Sequence, residues 1–123
     1  MNLNKFSFFH AFSAAACVAA AAMPERAGAQ SPAYVGTWAS RTEQCRMGQD
    51  SENAPLILKR GSYDQHEAHC KFVDVRVQGR TWTVNAKCTI EGNAQTLDLV
   101  LQTSGRRLTI RDKAGARTFK RCR

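Results

Sequence analysis

Residues 69–89 read HCKFVDVRVQGRTWTVNAKCT, two alternating runs around a Gln78-Gly79-Arg80 turn signal, with a cysteine near each outer end. Val73, Val75 and Val77 alternate with polar residues in the first run, and Trp82, Val84 and Ala86 do so in the second. Period-two alternation meeting at a glycine predicts a β-hairpin with one buried face. If the valines share that face with Trp82, Val84 and Ala86, the arms join through a two-residue loop, either Gln78-Gly79 or Gly79-Arg80. Cys88 then points inward and Cys70 outward. Without a bulge, the two do not bridge each other.

The same punctuation continues on both sides of the hairpin. Residues 34–39 and 56–59 predict strands upstream, separated by a polar surface loop over residues 41–54, and residues 62–68 allow a short edge strand. Downstream, Leu97, Leu99 and Leu101 alternate up to Ser104-Gly105, Leu108 and Ile110 follow, and residues 117–122 close the chain with Phe119 inside. No helical period is evident after residue 29. The expected fold is all-β: an antiparallel meander of seven or eight short strands forming a small barrel or a strongly curled sheet.

The first 29 residues have a different character. Lys5 precedes an apolar, alanine-rich stretch from Phe6 to Ala22, and Ala27-Gly28-Ala29 supplies a small-x-small end. This layout predicts a secretory signal peptide cleaved after Ala29 and a single mature domain, residues 30–123, that is periplasmic or secreted. The rival processing site is Ala14-Ala15-Ala16-Cys17, which would leave a lipidated Cys17. The mature chain has no stretch long and apolar enough for a transmembrane helix.

Four cysteines remain after cleavage: Cys45, Cys70, Cys88 and Cys122. An even number in a short exported chain predicts two disulfides, and no C-x-x-C spacing favours a metal site instead. The hairpin register leaves two pairings. Cys45–Cys70 with Cys88–Cys122 is preferred over Cys45–Cys88 with Cys70–Cys122.

The chain has 18 Lys and Arg against 10 Asp and Glu. Removing Lys5, Arg26 and Glu25 with the leader leaves sixteen against nine, a net charge of +7. That surplus suits an acidic partner: an envelope or secreted protein, or an anionic envelope component. Export argues against nucleic acid. Arg76, Lys87, Arg107, Arg111 and Lys120 occupy outward positions and are the candidate binding residues, with the loop over residues 41–54 as a second contact. Phe72 and Val100 also point outward in this register.

Catalytic signals are sparse. His66-Glu67-Ala68-His69 lacks the four-residue helical spacing of a zincin site, no serine sits in a nucleophile elbow, and the cysteines are accounted for by bridges. The expectation is a non-enzymatic protein with no catalytic residue, metal or cofactor. Two alternatives are a small-ligand-binding barrel and a metal-dependent or hydrolytic protein using His66 and His69.

Gly36-Thr37-Trp38 resembles the G-x-W of the first strand of calycin-like barrels from bacterial envelopes, and Arg121 resembles the late arginine that packs over that tryptophan. Such a stack is worth roughly 0.5 to 2 kcal/mol. Trp82 takes its structural role from its place on the buried face of the hairpin; the resemblance implies structural roles for Gly36, Trp38 and Arg121. It also implies kinship with exported protease inhibitors, to which exported lysozyme inhibitors are similar in size and bonding. The wider pattern, G-x-W-A, C-x-F-x-x-V, W-x-V-x-A-x-C, E-G and a terminal R-C, resembles small periplasmic proteins of Gram-negative bacteria and implies no activity.

Overall fold

Alternating apolar positions from eight strands turn to one side and close around a shared core. A computed structural model describes residues 30–123; the leader, its cleavage point and Cys17 lie outside the described residues. The strands are β1 (Gly36–Ala39), β2 (Leu56–Lys59), β3 (Ser62–Gln65), β4 (Ala68–Gln78), β5 (Thr81–Ile90), β6 (Asn93–Ser104), β7 (Arg107–Asp112) and β8 (Gly115–Arg121). Each pairs antiparallel with the next, and β8 returns to β1 to complete a closed barrel. The all-β meander expected from the sequence is therefore a barrel with eight strands and two disulfides.

The turns follow local chemistry. Gly79 (φ +61°) and Gly105 (φ +57°) open two-residue hairpin loops, where positive φ matches the strand twist at no cost to glycine. Of the two expected hairpin loops, Gly79-Arg80 is present, with Val77 opposite Trp82 and Val75 opposite Val84.

One turn of 3₁₀ helix, Thr42–Arg46, interrupts the long loop after β1. It is held by the Cys45–Cys122 disulfide. The other bridge joins Cys70 to Cys88. Both expected pairings are thus corrected, and the cause is a bulge between Phe72 and Asp74 that leaves Val73 without an opposite residue. The extra residue reverses the alternation of everything before it, so Cys70 turns inward opposite Cys88. The same reversal carries Phe72 from its expected outward position onto the core, edge-on to Tyr34.

The core contains Trp38, Leu56, Leu58, Tyr63, Trp82, Val84, Ala86, Leu99, Leu101, Leu108, Ile110 and Phe119, all buried. Tyr34, which lies before β1 rather than in it, plugs one end of the barrel. Its ring packs edge-on to Trp82, and its hydroxyl donates to the Arg60 carbonyl at 2.6 Å. Val73, Val75 and Val77 are exposed, contrary to the buried face expected for them. β3 pairs only with residues 68–71 of β4, so the rest of β4 runs past its neighbour and no strand among the described residues covers its valines.

Beside Tyr34, Arg121 stacks over Trp38 with its guanidinium carbon 4.2 Å from the ring centroid. It donates to the carbonyls of Val35 (3.0 Å) and Ala33 (2.6 Å), while the Trp38 indole N–H donates to the Tyr34 carbonyl (2.8 Å). Gly36 (φ +152°) lies against this arginine, where a side chain would collide with it.

Candidate functional site

Three of the concavities among the described residues have linings that differ in chemistry. The largest, about 900 Å³, lies between the 3₁₀ turn, the β6–β7 turn and the chain end. Arg41, Arg46, Arg106, Arg107, Lys120, Arg121 and Arg123 line it, and no Asp or Glu among the described residues does.

Each element places its cation for a local reason. The β6–β7 turn ends with Arg106, whose carbonyl accepts from the Arg121 backbone N–H (2.9 Å) and whose guanidinium donates to the Arg121 carbonyl (3.0 Å). Arg107 and Lys120 stand directly opposite each other across β7 and β8. Cys122 bonds through its backbone N–H to the Thr37 carbonyl (2.8 Å), and its disulfide draws Cys45, with Arg41 and Arg46, against the same wall. Arg121 is already engaged by Trp38, and Arg41 lies 3.8 Å from Glu43 in an exposed ion pair of little strength. Arg46, Arg107, Lys120 and Arg123 have no side-chain partner among the described residues.

Like charges facing across a strand pair oppose folding, so their placement is a cost to the fold. In a concave surface the same charges focus a positive potential. Planar guanidinium groups suit carboxylates and phosphates through paired hydrogen bonds, and five of the six cations besides Arg121 are arginines.

The five candidate residues do not form a single band. Arg107 and Lys120 lie in the groove. Arg76 and Arg111 end one row across the outer wall, through Thr83 and Val100, and Lys87 pairs with Lys71 in another. Arg76 is also 3.4 Å from Asp74. The two expected contacts, the early loop and the basic positions, meet in the groove at Arg41, Arg46, Arg107 and Lys120. Arg106 and Arg123 were missed, although the density of arginine over residues 106–123 was a visible signal.

A second concavity, about 650 Å³, lies on the outer wall over β3 to β6 and contains Asp64, His69, Lys71, Lys87 and Thr89. His69 Nδ1 is 2.8 Å from Asp64 Oδ1. His66 is in the β3–β4 turn with φ +51°, and its Nδ1 lies 3.1 Å from the Gln49 carbonyl. The two histidines therefore address different partners. Among the described residues no three His, Cys, Asp or Glu side chains converge on a metal position.

The third, about 440 Å³, opens at the barrel end away from Tyr34. Tyr63, Ala68, Ile90, Leu97 and Leu99 line it, with Asp112 and Arg117 among its polar groups. Arg117 lies 3.9 Å from Asp112.

The two disulfides suit an oxidising compartment outside the cytoplasm. No helix among the described residues is long and apolar enough to cross a membrane. No family model matches the chain, and neither a curated protein nor a solved structure does.

Proposed function

We propose that this chain is an exported, non-enzymatic binding barrel of the periplasm or the secreted space, and that its basic groove seats an acidic surface of an envelope or secreted protein. The single observation that carries the reading is the groove, where seven cationic residues, and no Asp or Glu among the described residues, line one concave wall. The signal-like leader and the two disulfides support export. The resemblance to envelope inhibitors names the class of partner, a hydrolase, and the groove supplies a surface for its carboxylates.

The test is inhibition of a panel of lysozymes and secreted proteases, with capture from envelope extract, comparing the natural protein with R107E/K120E. The expected result is that a captured acidic hydrolase loses activity with the natural protein and keeps it with the variant. Failure to capture or inhibit any of them would overturn the proposal. So would retention of anionic vesicles or polysaccharide with no protein bound, which would make the partner a polymer.

A second reading has its own observation. The mouth opposite Tyr34 is a largely apolar cup of a size that small ligands occupy. An apolar fluorescent probe should brighten with the natural protein and not with Leu97→Arg. Equal emission from both would remove this reading.

A further inference from the structure

The overhanging part of β4 has the composition of a self-complementary edge. β3 pairs only with residues 68–71, so residues 73–78 have β5 on one side and no strand on the other among the described residues. Val73, Val75 and Val77 are 58%, 40% and 66% exposed and are, with Met47, the exposed large hydrophobics among the described residues.

The backbone groups of this edge can be assigned from the turn. A two-residue loop makes Gln78 and Thr81 the terminal hydrogen-bonded pair. Alternation then directs Arg76 and Asp74 toward β5 and turns the N–H and C=O of Val75 and Val77 to the open side. Open strand edges of this kind are templates for another strand.

We infer that the protein associates with a second copy of itself through this edge, antiparallel about a two-fold axis at Val75. The sequence Val73-Asp74-Val75-Arg76-Val77 has the same residue types from either end, with the charges exchanged. With the axis at Val75, that residue meets its own copy and Asp74 meets Arg76 twice, while Val73, the bulge residue, lies outside the regular ladder. Val75 and Val77 of both chains then share one face and the four charges the other. Moving the axis to Asp74 or Arg76 sets like charges opposite each other, and half-step registers put valines against charges. Only the Val75 axis satisfies both faces. Such isologous pairing is the commonest way for a chain to form a dimer. The interface is short, which places the dimer among weak, concentration-dependent assemblies.

Sedimentation of the purified protein across a concentration series tests this. The natural protein should shift from monomer to dimer. D74R and R76D should each weaken the dimer at least tenfold, and D74R/R76D should restore it. V75P removes an outward N–H without touching the ladder to β5 and should also weaken it tenfold, with an unchanged circular dichroism spectrum confirming the fold. A natural protein that stays monomeric up to millimolar concentration overturns the inference. So does a dimer unaffected by the single variants, or a double swap that fails to restore it.

Discussion

Cys70 stands directly opposite Cys88 with Cα atoms 4.0 Å apart, although nearer the turn of the same hairpin Val77 faces Trp82 in a register one residue out of step. Val73 absorbs the difference. It is the unpaired residue of the bulge, and it is exposed.

Deleting Val73 should therefore leave the disulfide intact. Phe72 would then precede Asp74 directly, and their present partners, Ala86 and Asn85, are themselves adjacent. The ladder becomes regular without moving either cysteine. Thiol titration of the unfolded, unreduced variant should find no free Cys70 or Cys88; two titratable thiols would show that the bulge is needed to bring them together.

These particulars separate what was legible in the sequence from what was not. The Gly79-Arg80 turn and the alternation of β5 are local, and residue type alone reveals them. The bulge left a mark that is easily passed over: Cys70 and Phe72 keep one apolar phase and Val73, Val75 and Val77 the other, and reading the run as a single phase turns Phe72 outward. Exposure of those valines was hidden. It depends on β3 having only four residues beside eleven in β4, and strand lengths beside a hairpin are not written in the hairpin. The groove was legible in pieces. Arg41 and Arg46 are more than sixty residues from Arg107 and Lys120, and they meet through the β1–β8 closure, which sets Ala39 opposite Lys120, and the Cys45–Cys122 bridge, which the unbulged register excluded.

Replacing Arg121 with alanine should cost about 2 to 3 kcal/mol, from a lost cation–π stack on Trp38 and two lost hydrogen bonds to Val35 and Ala33. Lysine would restore the charge but not the planar fork, and should recover less than half of the loss. Urea unfolding followed by tryptophan fluorescence measures both. An alanine variant as stable as the natural protein would remove Arg121 from the account of barrel closure.

Tyr34 gives the fold an alkaline limit. Burial raises its pKa above the ordinary 10.0, opposed in part by the charge of Arg60. The unfolded phenol ionises near pH 10 while the folded one still holds its proton. Its contribution is thus complete below pH 10 and declines as pH rises through the folded value. Y34F should be less stable than the natural protein at pH 7 by about 1 kcal/mol, the share of the hydroxyl's bond to the Arg60 carbonyl. Above pH 10 the gap should narrow. A gap that stays constant from pH 7 to pH 11 would contradict the linkage.

Arg107 and Lys120 face each other across β7 and β8, as Lys71 and Lys87 do across β4 and β5. Facing like charges destabilise a strand pair, and an opposite-charge pair contributes roughly 0.2 to 1 kcal/mol. K120E and K71E should each raise stability by about 0.5 kcal/mol or more, with the gain shrinking as salt screens the new pairs. Their effects on binding should diverge. Lys120 lines the groove, whereas Lys71 lies on a different part of the outer wall. K120E should therefore weaken capture of an acidic partner at least tenfold, and K71E should leave it within twofold. Urea unfolding at low and high salt, alongside binding by the same two variants, reads both effects. A rise in stability with equal loss of binding in both variants would mean that net charge, not the groove, attracts the partner. A fall in stability on K120E would mean that this strand pairing is not the one in the protein.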